Sequence, residues 1–379
     1  MKKFIIILMA ILFTNTVSLH AENLKIGALG AVLIDANTGR VLWERKSDVP
    51  MAVASTTKIM TAILAIESQK LDETAVVSSK AASSAEVKLG LKSGEEYRLG
   101  DLLYPLMLQS SNDAAVVIAE HLGGSVEGFA KMMNIKAEEL GAKNTKFVTP
   151  NGLDEDDNHS TAYDMAIIAA HALNNESFVK LINTREYTFS CLNKSRTFTA
   201  FNKNRLLNEY DGAIGVKTGF TGKAGQCFVG AAQRDGVRLI SVVLASGWGS
   251  AGKQQKWIDT KRLLNYGFEN YKMEQIIATG TDVGTVQILH SKEGEVMAQT
   301  CEDGFAMVND EEKISLKTSA RLIRSVEAPV KKGQVLGEIT VETSTGEVLF
   351  TSELTAKEDV LRHDLRTSAE KTINLWLNP

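Results

Sequence analysis

Strand-like runs at both ends of a helix-rich stretch predict an α+β fold on an antiparallel sheet, with a small all-β domain behind it. Near the start, apolar runs Gly30–Asp35 and Arg40–Glu44 flank Ala36-Asn37-Thr38-Gly39, a hairpin signal. Near residue 240, Gly225–Gln233 and Val237–Ser246 flank Arg234-Asp235-Gly236, where Asp-Gly marks a tight turn. From about Gln275 onward helical spacing gives way to short β-rich runs separated by glycines and charges.

Taken in order, the chain opens with Met1-Lys2-Lys3, an apolar run Phe4 to Phe13, and a more polar Thr14 to Ala21. Two positive charges, about ten apolar residues and a small terminal residue describe a secretory signal over residues 1–21, so export is expected. Leu19 is larger than that site prefers, which leaves cleavage after Ser18 as an alternative. After the first hairpin comes Ala54-Ser55-Thr56-Thr57-Lys58, and then eight apolar or small residues with Thr61 the one polar interruption. A helix without a polar face is expected in the core.

Lys88–Tyr97 reads as a hairpin around Lys92-Ser93-Gly94, and Leu99–Leu108 as a helix despite Pro105. Asp113 is placed to cap a helix over Ala114–Leu122, which stops at Gly123-Gly124. Helices are predicted over Val126–Leu140 and from Ser160 to about Leu173, with irregular chain between them. A long helix from about Gln254 to Tyr271 closes the first domain. Beyond it, Val283–Leu289, Lys313–Leu316, Arg321–Val326, Gln334–Thr343 and Glu347–Leu354 read as strands. In the tail, Leu361, Leu365, Ala369, Ile373, Trp376 and Leu377 have helical spacing. Such a stripe suits either a membrane surface or a seat on the protein's own domain. The resulting domain plan is 1–21 signal, 25–272 main domain, 275–360 β-rich domain and 361–379 amphipathic tail.

Composition sets broad limits. At 379 residues the chain suits a large domain plus a smaller one, and 44% hydrophobic with 23% charged residues is globular. Net charge is −4, and the signal would remove two lysines, so nothing points to nucleic acid. Cys191, Cys227 and Cys301 are odd in number and lack Cys-x-x-Cys spacing, while the six histidines are scattered, so no metal or cofactor is expected.

Chemistry concentrates at Ser55 and Lys58. Three apart at the start of a buried helix, they share one face of its first turn and place a hydroxyl beside an amine. Ser-x-x-Lys recurs at Ser177/Lys180, Ser250/Lys253 and Ser368/Lys371, where a capping serine and a solvated lysine suffice. Only the first is followed, in order, by Ser110-Ser111-Asn112 and by the single Lys217-Thr218-Gly219. Two decoys are set aside. Gly247-Trp248-Gly249-Ser250-Ala251-Gly252-Lys253 imitates a P-loop, but Gln254 stands where Ser or Thr would hold magnesium, so a flexible loop is expected. Asp154-Glu155-Asp156-Asp157 lacks the alternation and glycine of a calcium loop and reads as solvated.

With these three elements, residues 25–272 resemble the low-molecular-mass penicillin-binding proteins that are serine-type D-alanyl-D-alanine carboxypeptidases. Supporting stretches are Pro150-Asn151-Gly152-Leu153, His159 to Asp164, and Thr221-Gly222-Lys223-Ala224-Gly225. Residues 275–360 resemble the small β domain of that family, and an amphipathic C-terminal anchor is a family trait. The resemblance implies a five-stranded antiparallel sheet flanked by helices. It implies attack by Ser55 on the bond between the two D-alanines of a peptidoglycan stem pentapeptide, with Lys58 as base and β-lactams as covalent inhibitors. By the same pattern Ser110 relays protons, Asn112 holds the substrate amide, and Lys217 and Thr218 meet the terminal carboxylate. Gly219 and Phe220 complete that strand, and the backbone N–H groups of Ser55 and Phe220 receive the oxyanion. Phe220 replaces the His of some relatives in a role carried by backbone.

Three rivals follow. A β-lactamase of the same fold would need a water-activating carboxylate, usually Glu-x-x-x-Asn, and Glu138-Glu139-Leu140-Gly141-Ala142 does not supply it. A transpeptidase or endopeptidase shares the same residues. A non-catalytic wall-binding protein would have lost the nucleophile or base, and here both stand.

Overall fold

In the computed structural model, which describes residues 24–363, five strands of the first unit pair in the order β2-β1-β9-β8-β7. The chain enters through β1 (Gly30–Asp35) and β2 (Val41–Arg45), an antiparallel pair joined by the expected turn. A 3-10 turn over Ala54–Thr57 leads into α1 (Lys58–Glu67), whose first eight residues are all buried. That is the outcome a helix without a polar face requires. Truncating Ile59 there to alanine would cost about 2–5 kcal/mol by the usual core-deletion scale.

Next come β3 (Thr74–Val76), α2 (Ser79–Ala82), β4 (Glu96–Arg98) and α3 (Leu99–Tyr104). The expected hairpin at 88–97 is not formed, because β4 pairs with β3. The expected helix over 99–108 also divides. Pro105 has no N–H to continue the ladder, and Pro105–Gln109 widens into a π-helical turn.

Four helices follow: α4 (Asn112–Gly123), α5 (Val126–Glu139), α6 (Ala162–Leu173) and α7 (Glu176–Asn183). Ser125, Thr161 and Asn175 cap the last three with side-chain oxygens. Asp113 is not the cap predicted for α4. It lies inside the first turn, where its carboxylate accepts the Ala114 N–H at 2.9 Å and also those of Leu89, Gly90 and Leu91 at 2.9–3.1 Å, so it folds the preceding loop onto the helix.

A hairpin of β5 (Glu186–Ser190) and β6 (Thr197–Phe201), then the short α8 (Leu206–Glu209), precede β7 (Ala213–Thr221), β8 (Gly225–Arg234) and β9 (Val237–Leu244). The sheet is antiparallel, and β7 is one of its two edge strands, β2 being the other. Cys227, Val229 and Ala231 of β8 join the core shared with α1, Phe129, Met165 and Phe178. Phe228 turns to the opposite face and meets Trp257 edge-on at 4.7 Å. Trp257 lies on α9 (Gly249–Asn270), which begins inside the glycine-rich stretch expected to be a flexible loop. The buried Asp259 of α9 accepts the Gly27 and Ala28 N–H groups at 2.8 and 3.0 Å, fixing the entering chain.

The first unit comprises the described chain to Ala232 with Ile240–Leu263; Gln233–Leu239 and the chain from Leu264 form the second. In the second, β10 (Lys272–Ile277) pairs with β13 (Gly304–Val308). The others are β11 (Asp282–Leu289), β12 (Glu295–Thr300), β14 (Lys317–Leu322), β15 (Ser325–Glu327), β16 (Val335–Glu342) and β17 (Val348–Ala356). They form one sheet in the order β14-β16-β17-β12-β11-β15 over a core that includes Val286, Leu336, Ile339 and Leu354. Lys313–Leu316, expected as strand, belongs mostly to the helix α10 (Asp310–Ser315). There Asn309 and Glu312 form a reciprocal capping box, a stronger local signal than one short apolar run.

All three cysteines are free, and among the described residues no helix is long and apolar enough to cross a membrane. The expected signal over 1–21 lies outside the described residues, as does the tail beyond His363.

Candidate active site

The site assembles where the first turn of α1, the start of α4, the loop 150–154 and the edge strand β7 converge. Lys58 is fully buried at the start of α1. Its Nζ lies 2.9 Å from Ser55 Oγ, 2.8 Å from Asn112 Oδ1 and 2.6 Å from the Asn151 carbonyl oxygen. Two of these three partners can only accept. A neutral amine has two hydrogens for them and one lone pair left, which then points at the Ser55 hydroxyl.

Burial favours that neutral amine. It drives the Lys58 pKa well below the ordinary lysine value, and the charge of Lys217 pushes the same way, while Asp113 opposes. Lys217 is also buried, on β7, and its Nζ donates to the Thr218 carbonyl oxygen at 3.0 Å. Burial first, then Lys256 and Lys203, bring its pKa down to about 7. Lys256 of α9 donates to Gln226 Oε1 at 2.6 Å, and burial brings it to about 8.

The backbone around Ser55 is held in place by glycines. A Cβ on Gly219 would fall 3.1 Å from the amide nitrogens of Ser55 and Thr56 and 3.0 Å from the Val53 oxygen. β7 thus packs directly on the turn that carries Ser55. From the other side, Gly152 (φ +77°) would place a Cβ 1.9 Å from the Ala54 oxygen. Ala54 itself sits at φ 48° and Ser110 at φ 71°, both in the left-handed region that non-glycine residues seldom occupy. Backbone strain of this kind concentrates at functional sites.

Ser55, Lys58 and Asn112 are therefore joined by hydrogen bonds, with Gly219 against them and Lys217 within electrostatic reach. Asn112 is anchored by its N–H to the Val87 oxygen at 2.7 Å and by Nδ2 to the Ala85 oxygen at 3.1 Å. Ser110, in the left-handed region, ends the π-helical turn two residues before Asn112. Thr218 has Phe228 as its cross-strand neighbour, and Phe220 is half exposed at the end of the strand. Sequence reasoning gave no role to the Asn151 carbonyl, a backbone group with no residue-type signature. The signal was Asn151-Gly152 itself, since a glycine there permits the close approach to Ala54.

Comparison with known proteins is consistent across sequence and structure. Residues 15–247 match the D-alanyl-D-alanine carboxypeptidase family, and residues 271–362 match the penicillin-binding protein 5 C-terminal domain. The chain is 35% identical over 355 residues to D-alanyl-D-alanine carboxypeptidase DacF of Bacillus subtilis, covering 92% of this chain and 90% of that one. Penicillin binding protein 5 from Haemophilus influenzae has a similar structure, with a TM-score of 0.71 and 29% identity over 89% of this chain and 98% of that one. The Streptomyces K15 DD-transpeptidase, solved as a serine-to-alanine mutant, gives a TM-score of 0.61 and 33% identity over 64% of this chain and 98% of that one.

Proposed function

The chain belongs to the D-alanyl-D-alanine carboxypeptidase family, and on that premise we propose how its residues divide the work. It is a serine peptidase that removes the terminal D-alanine from peptidoglycan stem peptides, is open to β-lactams as inhibitors, and acts outside the cytoplasm at the cell wall. The observation that carries the assignment of roles is the triple contact of the buried Lys58 amine.

In our reading, Ser55 Oγ attacks the carbonyl carbon between the two D-alanines as its proton moves to Lys58 Nζ. Negative charge develops on the carbonyl oxygen and is received by the Ser55 and Phe220 N–H groups, whose spacing Gly219 sets. The carbon–nitrogen bond then breaks, and the departing D-alanine amine takes a proton through the Ser110 hydroxyl. Lys217 and Thr218 hold the terminal carboxylate, and Asn112 holds both Lys58 and the substrate amide. The free edge of β7 offers backbone groups to an extended peptide. Water finally attacks the acyl-enzyme and frees Ser55.

The test is D-alanine release from a peptide ending in Lys-D-Ala-D-Ala, beside Ser55→Ala. Release by the native protein that vanishes in the mutant supports the roles, and release that survives refutes them. A second acceptor, an amine in place of water, is suggested by the similarity to the Streptomyces K15 DD-transpeptidase. Adding D-amino acids as acceptors would reveal it as an exchanged peptide. For the tail, we propose peripheral membrane contact from the spacing of its apolar residues. Sedimentation with anionic vesicles, lost on truncation after Val360, tests it.

A further inference from the structure

The acidic run 154–157 reads as a solvated loop, yet its first residue is not idle. Asp154 Oδ1 accepts from Thr221 Oγ1 at 2.7 Å and Oδ2 from the Lys223 N–H at 3.3 Å, while Thr221 Oγ1 accepts from the Ala224 N–H at 3.0 Å. Three residues earlier in the same loop, the Asn151 carbonyl oxygen holds Lys58 at 2.6 Å. The piece between is stiff: Asn151 Oδ1 accepts the Leu153 N–H at 3.0 Å, Thr149 Oγ1 accepts the Gly152 N–H at 3.1 Å, and Gly152 lies against the Ala54 oxygen. Thr221, on the other side, stands two residues beyond Gly219, whose backbone abuts the Ser55 amide. These contacts close a ring from Ser55 through Lys58, Asn151, Asp154, Thr221 and Gly219 back to Ser55.

We propose that Asp154 is a positioning residue for acylation: by tying the loop that holds Lys58 to the strand that holds Gly219, it makes the base and the oxyanion-side backbone move as one body. The proposal rests on the carboxypeptidase reading and adds to it a residue outside the three motifs. Asp154 touches none of the reacting groups and acts only through Asn151 and Thr221. The same β7–β8 turn is held from its other side by Trp248, whose Nε1 donates to the Gly222 oxygen at 3.0 Å, but Trp248 makes no link to Lys58. The two anchors therefore separate loosening of the turn from loss of the coupling.

The experiment measures acylation by a fluorescent penicillin, per titrated site, together with kcat and KM for D-alanine release. Asp154→Ala and Thr221→Val should each slow acylation and lower kcat about tenfold, with KM within about twofold, as small misplacements of reacting groups do. Because both remove one link, the double variant should be no slower than either single one. Asp154→Asn, which keeps an acceptor for Thr221, should recover most of the rate, and Trp248→Phe should stay near the native rate. Native-like acylation in Asp154→Ala, multiplying losses in the double variant, or an equal loss in Trp248→Phe would each overturn the proposal. Native protein that neither releases D-alanine nor forms the penicillin adduct would refute the functional reading itself, before any variant is compared.

Discussion

Lys58 and Asn151 are 93 residues apart in the chain, yet the Lys58 amine and the Asn151 carbonyl oxygen lie 2.6 Å from each other inside the protein. With Asn112 Oδ1 as second acceptor, this contact sets which way the amine's remaining valence points. The base of the proposed mechanism is thus oriented by groups that cannot themselves exchange protons.

Replacing that base by Lys58→Arg tests the orientation. A guanidinium stays protonated and cannot take a proton from Ser55. Acylation by a β-lactam should fall about 10²–10⁴-fold, the range for losing a general base. Mass spectrometry of the penicillin adduct over time measures it, and a native rate in Lys58→Arg would exclude Lys58 as the base.

The two buried lysines predict a bell-shaped pH profile for kcat/KM, which reports the free enzyme. In the proposed mechanism Lys58 acts as the neutral amine, so activity should fall on the acid side as it gains a proton. Lys217 must be charged to meet a carboxylate, so activity should also fall as pH rises through about 7, where burial places it. Lys217→Arg keeps its charge at higher pH and should move the alkaline limb upward. An unmoved alkaline limb would show that another group sets it.

Gly152 predicts a defect in both folding and rate. A Cβ there meets the Ala54 oxygen at 1.9 Å, and the φ of +77° is itself unfavourable for alanine. Gly152→Ala should cost about 1–3 kcal/mol from backbone strain alone, since such conformations carry that penalty. It should also slow acylation per folded molecule, because the loop that presents Asn151 must shift. Denaturant unfolding beside active-site titration separates the two effects.

What was legible in the chain and what was not follow one division. The grouping of Ser55, Lys58 and Asn112, with Lys217 in electrostatic reach, could be read because it lies in side chains of motifs at fixed spacing. The buried α1 was legible because it lacks a polar face, and the β8–β9 hairpin because Asp-Gly favours its turn. The contact of Asn151 with Lys58 was not legible because its contribution is a carbonyl, which every residue has. Asp113 was misread as a cap because a carboxylate near a helix start has two sets of N–H groups to choose from, and the 89–91 loop is contributed by chain folded back onto it. The strand expected at Lys313–Leu316 failed where a capping box four residues earlier outweighed a short apolar run.

Asn112 gives the sharpest test, since one atom decides the sign. Its Oδ1 accepts from Lys58 at 2.8 Å, and its Nδ2 donates to the Ala85 oxygen at 3.1 Å. Asn112→Asp keeps the shape but places a carboxylate against the amine. An opposite charge at that distance favours the protonated lysine and raises its pKa. The acid limb of the acylation profile should move to higher pH, and near neutrality the variant should be strongly impaired. Raising the pH should restore part of the acylation rate, because the amine then loses its proton. Asn112→Ala removes the acceptor without adding charge, so its deficit should lack this recovery. If both variants respond to pH alike, Lys58 does not titrate in the acylation step, and the lone-pair account of the site fails.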